Sequence, residues 1–155
     1  MISPVSQTVE VGDTFSVNLV FTPGSLPTNG VSTPLSFNSS ILQFTSASST
    51  YGSAVFTTAN SATGSVGFSL TNTGFPSTTV ATFNFLAIAA GTSVLDINPQ
   101  QWLIGSGWFG INGLAVDGSV TVTPSSAPVP DAASTLALLG VALLGAAVLR
   151  RRAQA

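Results

Sequence analysis

Apolar and polar residues alternate with a period of two in several short runs along the first 123 residues. The clearest runs span residues 15–21, 66–70, 81–87 and 120–122. Because successive side chains of a β-strand point to opposite faces, this period predicts strands that bury one face and expose the other. The residues that we expect in the core are Phe15, Val17, Leu19, Phe21, Val66, Phe68, Leu70, Ala81, Phe83, Phe85, Ala87, Val120 and Val122.

Turn-forming pairs of residues separate these runs at short intervals. They include Gly12-Asp13, Pro23-Gly24, Asn29-Gly30, Ala90-Gly91 and Asn112-Gly113. Such pairs favour tight turns, and no sustained helical period occurs before residue 131. Residues 1–123 are therefore predicted to form one all-β domain, an antiparallel β-sandwich or jelly roll with about nine strands in two packed sheets.

The composition changes after residue 123. Three prolines within residues 124–130 predict an extended linker. Residues 132–149 are 18 uncharged residues, which as a helix would be about 27 Å long, close to the hydrocarbon thickness of a bilayer. Their six Leu and two Val residues contribute roughly −2 to −5 kcal/mol to membrane insertion. We therefore predict one C-terminal transmembrane helix, with a helix buried in the folded core as the alternative.

All three basic residues of the chain are Arg150, Arg151 and Arg152, and all five acidic residues precede them. Arginines beside a transmembrane segment stay in the cytoplasm, so this triplet is predicted to act as a membrane stop. We thus expect an exported, single-pass protein with residues 1–130 outside the inner membrane. Because this topology requires an export signal, we also expect the true N-terminus and its signal peptide to lie upstream of Met1.

The same charge distribution excludes several classes of function. With no Lys or Arg before Arg150, the predicted β-domain has no cation to neutralise phosphates, which excludes binding to nucleic acid. The chain has neither Cys nor His, and this excludes disulfides, thiol nucleophiles, His-dependent catalytic triads and most zinc sites. No cofactor is predicted.

The remaining groups with catalytic or metal-binding chemistry are carboxylates. Asp96 and Asp117 are the acidic residues of the later part of the β-domain. With Asp13 they would form a weak calcium site, or as a pair a glycosidase-like acid and base. Each lies near a turn, however, where Asp is favoured because its side chain bonds to the backbone. We prefer this structural interpretation.

Three aromatic residues lie in or beside a glycine-rich stretch, residues 105–110. If Trp102, Trp108 and Phe109 are exposed, their rings could stack on sugar faces and bind a glycan. The alternative is that the rings close one end of the sandwich core, since large aromatic side chains are usually mostly buried.

The C-terminal tail resembles a known sorting signal. Val129-Pro130-Asp131 is followed by small residues, then by the apolar segment, and finally by the Arg triplet. The order of these four parts closely resembles the PEP-CTERM sorting signal in its VPD-type variant. The resemblance implies that an exosortase, a membrane transpeptidase-like enzyme, processes residues 129–155 for surface display or release. A generic stop-transfer helix behind a Pro-rich stalk is the alternative.

The β-domain more loosely resembles a cohesin-like domain, a jelly-roll module of the cellulosome cohesin superfamily. The matching stretches are residues 11–21, 35–44, 64–70 and 80–95, with 118–123 as the last strand. Together the two resemblances imply a non-enzymatic surface or extracellular-matrix protein that associates with extracellular polysaccharide or with another surface protein. A carbohydrate-binding module that uses the three aromatic residues, and a carboxylate-dependent glycoside hydrolase, are the alternatives.

Overall fold

The computed structural model describes residues 1–22, 29–51, 53–60, 64–71, 78–97, 100–104, 107–111 and 115–126, with the backbone alone at 58–60, 78, 100–103 and 108–111. The chain divides into two compact units, Met1–Ser125 and Ser126–Ala155. Most of the predicted linker and the whole predicted transmembrane helix lie outside the described residues. Within the described residues, no helix has the length and apolarity needed to cross a membrane.

The described part of the first unit is entirely β-structure, as predicted. It contains twelve strands rather than about nine. The strands are β1 (Ile2–Ser3), β2 (Ser6–Glu10), β3 (Thr14–Phe21), β4 (Gly30–Ser36), β5 (Leu42–Ser48), β6 (Val55–Asn60), β7 (Ser65–Thr71), β8 (Thr78–Ala87), β9 (Gly91–Leu95), β10 (Gln100–Ile104), β11 (Gly107–Ile111) and β12 (Gly118–Thr123). The alternating runs did not identify the short strands β1, β10 and β11. Strands pair through backbone N–H and C=O groups, which every residue except proline carries in full, so a short strand can form without an alternating side-chain pattern.

Three hydrogen-bonded sheets, rather than the predicted two, make up the sandwich. The four-stranded sheet has the order β1-β3-β8-β5, the five-stranded sheet the order β11-β10-β4-β7-β6, and the three-stranded sheet the order β2-β12-β9. A bridge between Ser36 and Asp96 joins the end of β4 to the chain after β9. Each of these two residues donates its N–H to the carbonyl of the other, at 2.7 and 3.0 Å.

Pro34 lies in β4, an interior strand, although proline has no N–H to donate. The pairing of β4 with β10 ends at Ser32, and the bridge to Asp96 begins at Ser36. Backbone N–H groups on one side of a strand recur every second residue. The nitrogen of Pro34 therefore faces the gap between these two pairings, where the five-stranded sheet gives way to the three-stranded sheet.

One strand pair departs from the predicted antiparallel arrangement. The first and last long strands, β2 and β12, run parallel, with Ser119 opposite Ser6 and Thr123 opposite Glu10. Parallel neighbours need a long connection. The domain itself supplies it, because all the strands from β3 to β11 lie between these two in the sequence.

The predicted core positions are buried with one exception, Phe15, which packs against the core while partly exposed. Aromatic side chains join the two layers. Phe83 of β8 lies 6.4 Å from Phe68 of β7, measured between ring centroids, and Phe85 lies 5.1 Å from Phe37, which follows β4. The four-stranded and five-stranded sheets therefore share one core, which confirms the predicted sandwich.

Gly64 is required where the chain approaches β7. Its φ of 62° lies in the left-handed region, which favours glycine. A Cβ added at this position would collide with the carbonyl oxygen of Phe37. The backbone of Phe37 is held in place, because its N–H donates to the Gly64 carbonyl at 2.7 Å. We expect Gly64→Ala to lower the free energy of unfolding by about 1 to 3 kcal/mol. Urea denaturation would measure this loss. The neighbouring Ser65→Ala should change the free energy of unfolding by less than about 0.5 kcal/mol. Equal losses for the two variants would contradict the requirement for glycine at position 64.

Candidate functional site

The outer face of the four-stranded sheet carries a set of uncharged polar side chains in neighbouring strands. On β3 and β8 the register places Ser16 opposite Asn84 and Asn18 opposite Thr82. On the other side of β8, Ser46 of β5 is opposite Asn84. Asn18, Thr82 and Asn84 alternate with buried positions of their strands, whereas Ser46 follows a bulge in β5. Together with Ser16, these residues are called the hydroxyl–amide face.

Hydrogen bonds across the strands connect this face. Ser16 Oγ donates to Asn84 Oδ1 at 2.6 Å, and Asn84 Nδ2 donates to Ser46 Oγ at 2.9 Å. Beside this chain, Thr82 Oγ1 donates to Asn18 Oδ1 at 2.8 Å. A hydroxyl has one donor and two acceptor positions, and an amide has two of each. The side chains are thus held in place by one another and keep bonding capacity toward a ligand.

A groove opens at one end of this face, between the end of β5 and the beginning of β8. It has a volume of about 280 Å³ and is lined by Ser48, Ser49, Thr50, Thr79, Val80, Ala81 and Thr82. Five of these seven residues carry a hydroxyl group. Two hydrogen bonds fix the Ser49 side chain in the lining of the groove. Its Oγ donates to the Val80 carbonyl at 2.6 Å and accepts the Tyr51 N–H at 3.1 Å.

The groove lies at the opposite end of the four-stranded sheet from the point where the chain leaves the domain. The Val11 N–H donates to the Thr123 carbonyl, and the Gly12 N–H donates to the Ala87 carbonyl, so the end of β12 lies beside the end of β8. From Ala87 back to Thr82 are five residues of extended strand, about 17 Å. The groove therefore lies well away from Thr123, the last residue of β12.

The carboxylates of Asp13 and Asp117 bond to backbone N–H groups at a turn and after a strand, which supports the structural interpretation for these two residues. Asp13 Oδ2 accepts the Glu10 N–H at 2.8 Å, and Asp117 Oδ1 accepts the Ile97 N–H at 3.1 Å. Asp96 forms the backbone bridge described above. Burial lowers the pKa of the Met1 amino group, and the negative charge of Asp117 acts in the opposite direction.

The calcium site considered from the sequence is not assembled. Asp13 lies beside Glu10, which pairs with the last residue of β12, whereas Asp117 directly precedes the first residue of that strand. The six residues of β12 therefore separate Asp13 from Asp117. In the described ranges no group of three acidic side chains is close enough to hold a metal ion.

The three candidate aromatic residues belong to the hairpin of β10 and β11. The backbone register places Trp102 opposite Phe109, and Leu103 opposite Trp108. The side chains at these positions lie outside the description, so the proposed glycan contacts of the rings stay a prediction. Sequence reasoning placed the aromatic residues in or beside a glycine-rich stretch and did not identify the two strands.

Sequence reasoning also missed the hydroxyl–amide face. A signal was present, since Ser16 and Asn18 are polar positions of one alternating run, and Thr82 and Asn84 are polar positions of another. Their identification as one site needed the register between β3 and β8, which places the two pairs opposite each other.

The predicted sorting residues, from Val129 to Asp131 and from Arg150 to Arg152, lie outside the described residues but inside a family match. A family model described as the VPDSG-CTERM motif matches residues 128–153. This is a PEP-CTERM-like sorting signal, which confirms the resemblance of the tail. The signal implies an exported, membrane-associated protein that is processed by an exosortase-type system. Ala132-Ala133 stand where the motif has Ser-Gly.

Solved cohesin structures resemble the folded unit. A cohesin module from the family 33 glycoside hydrolase of Clostridium perfringens shares 15% identity at a TM-score of 0.66, covering 81% of this chain and 96% of that module. A cohesin from Clostridium acetobutylicum shares 20% identity at 0.63, covering 79% and 89%. A type I cohesin–dockerin complex from Clostridium thermocellum gives 12% identity at 0.63, covering 77% and 90%.

At these identities the likeness establishes the fold. No curated protein matches the chain. The chain therefore combines a cohesin-like β-sandwich with a C-terminal PEP-CTERM-like sorting signal.

Proposed function

We propose that this protein is exported, held in the inner membrane by residues 132–149, processed near Val129-Pro130-Asp131 by an exosortase-type enzyme, and displayed at the cell surface or in the extracellular matrix. There its β-sandwich acts as a non-enzymatic adhesion module. The observation that carries the proposal is the motif match over residues 128–153, which begins directly after the compact unit that ends at Ser125.

The chemistry of the tail supports processing outside the membrane. A membrane enzyme that cleaves a peptide needs an extended substrate at the outer interface. Pro128 and Pro130 disfavour a helix in the residues before Asp131. The Arg triplet at the other end of the apolar segment holds that end in the cytoplasm. The segment and its two flanks thus define a substrate with a fixed orientation.

The surface of the folded unit supports adhesion rather than catalysis. The carboxylates of Asp13 and Asp117 bond to backbone groups, and the hydroxyl–amide face offers neutral hydrogen-bonding groups in a fixed arrangement. Such a face suits extracellular polysaccharide or a neutral protein surface. Several of the similar cohesins were solved in complex with a dockerin, so a second surface protein is the other class of partner that we propose. Glycan binding through Trp102, Trp108 and Phe109 is a second candidate function.

Mass spectrometry of the mature protein from its native host would test the proposed processing. We expect the mature chain to end near Asp131, without the Arg triplet. The matched control is the same protein from a host that lacks its exosortase-type enzyme, where the tail should remain. A mature chain that ends at Ala155 in the unmodified host would contradict the proposal.

A further inference from the structure

We infer that the groove between β5 and β8, with the adjoining hydroxyl–amide face, is a binding site for a neutral polysaccharide. This inference rests on the proposed function, because it names the partner class of the displayed domain. The groove is distinct from the hairpin of β10 and β11, since β5 and β8 belong to the four-stranded sheet and the hairpin to the five-stranded sheet.

The groove and the face form one continuous surface through Thr82. Thr82 lines the groove and donates its hydroxyl to Asn18 of the face. Ser48, which also lines the groove, is directly opposite Thr82 in the register of β5 and β8. Residues directly opposite in an antiparallel pair share a face of the sheet. A polymer lying in the groove would therefore continue across β8 onto β3.

The charge of the chain selects a neutral polymer. No Lys or Arg precedes Arg150, and residues 1–149 carry five acidic groups, a formal charge of −5. An acidic or sulfated polysaccharide would be repelled by this field and would find no cation to pair with. Hydroxyl groups of a neutral sugar can exchange hydrogen bonds with Ser, Thr and Asn side chains, and no charged group has to lose its water.

The hydrogen bonds within the face lower the cost of binding. Ordering a side chain at an interface costs conformational entropy when the side chain is free to rotate beforehand. Asn84 is held by Ser16 on one side and Ser46 on the other, and Thr82 is held by Asn18. These side chains are already ordered without a ligand. A polar contact with a polymer then has to offset a smaller loss of side-chain entropy at each residue.

The position of the groove also fits a polymer partner. An extended polymer makes its contacts along a surface, whereas a small ligand is usually enclosed in a pocket. The groove lies at the end of the sheet away from Thr123, and the face continues from it across three strands. The groove volume of about 280 Å³ is at or below the lower end of the range of small-ligand pockets. The adjoining face provides the additional contact area.

Affinity electrophoresis of the full-length protein in a mild non-ionic detergent would test the site. The gels would contain a neutral polysaccharide (dextran, galactomannan or hydroxyethylcellulose) or an anionic one (alginate or hyaluronate). We expect retardation by at least one neutral polymer and binding about tenfold weaker or more to the anionic polymers. Ser48→Arg, which fills the groove, should weaken neutral binding about tenfold, and Asn84→Ala should weaken it several-fold.

The control variant is Gln43→Arg, which places the same charge and bulk on the same strand, opposite Leu86, where it lines no part of the groove and is not one of the five residues of the face. It should change binding less than twofold. Failure of all neutral polymers to retard the unsubstituted protein would overturn the inference, as would equal effects of Ser48→Arg and Gln43→Arg. A loss of binding with Trp108→Ala but not with Ser48→Arg would assign glycan binding to the aromatic residues instead.

A comparison in the native host separates this inference from the proposed function. If Ser48→Arg leaves C-terminal processing and surface display unchanged but releases the protein from the matrix, both stand. If the variant is processed, displayed and still retained in the matrix, the groove is wrong and the proposed function survives. If the unsubstituted protein is neither processed nor displayed, the proposed function itself fails, whatever the gels show.

Discussion

Replacing Phe85 with alanine should lower the free energy of unfolding by about 3 to 5 kcal/mol. Phe85 is fully buried in β8, and its ring contacts three others, with centroid distances of 5.7 Å to Phe15, 5.1 Å to Phe37 and 5.9 Å to Phe44. The substitution removes apolar contact and leaves a cavity at the centre of this cluster. Since domains of this size are stable by about 5 to 15 kcal/mol, the loss would leave a marginal fold.

Urea denaturation of the full-length protein in a mild non-ionic detergent, followed by tryptophan fluorescence, measures this loss. Leu86→Ala is the matched control, because Leu86 is the next residue of the same strand and is only half-buried, on the opposite face. Its loss should be about 1 kcal/mol. Equal losses for the two variants would mean that the cluster around Phe85 does not form the centre of the core.

The burial of Phe85 itself could be predicted from the sequence, and the reason is physical. A strand with one buried face carries its pattern in consecutive residues, so residues 15–21 and 81–87 show their inward positions without any knowledge of their neighbours. The alternating runs and the turn-forming pairs between them likewise predicted the all-β class, and the position of the basic residues showed that the folded unit has no cations. These properties are local or additive along the chain, and one sequence contains them in full.

Properties that depend on which strands meet could not be predicted in this way. The parallel pairing of β2 with β12 joins residues more than 100 positions apart. The register between β5 and β8 shifts at a bulge between Phe44 and Ser46, and this shift brings Ser46 opposite Asn84. Without that bulge the hydrogen bond between these two side chains would not form. The hydroxyl–amide face is therefore a result of tertiary structure, although each of its residues is visible as a polar position.

The proposed function of the tail, by contrast, does not depend on which strands meet, since it is encoded in the linear order of the parts of the tail. Recognition of an extended peptide and insertion of an apolar segment depend on consecutive residues. For this reason the resemblance to a PEP-CTERM signal could be recognised from the sequence alone, and the family match covers the same stretch. The strength of the proposed anchor can also be calculated from the sequence, and it gives the second large effect.

Val141→Arg should abolish the proposed membrane anchoring. The apolar residues of segment 132–149 favour insertion by roughly −2 to −5 kcal/mol, and an arginine at the centre of a transmembrane helix costs about +2.5 to +3.5 kcal/mol. Val141 lies near the middle of the 18 residues, so its loss and the added charge together shift the balance to between about −2 and +2 kcal/mol, before the polar Ser, Thr and Gly residues of the segment make insertion less favourable still. In a host that lacks the exosortase-type enzyme, where the tail remains, we expect most of the variant to leave the membrane fraction in an alkaline carbonate extraction, whereas the unsubstituted chain stays.

Val148→Arg is the matched control for this substitution, because it makes the same change beside the Arg triplet. An arginine near the end of the segment extends its charged group to the interface and costs much less than one at the centre. The control should therefore remain in the membrane fraction. If both variants stay membrane-bound, residues 132–149 are not a marginal transmembrane helix, and retention must come from another part of the chain. If both are released, insertion depends on the total charge of the tail rather than on the depth at which that charge lies.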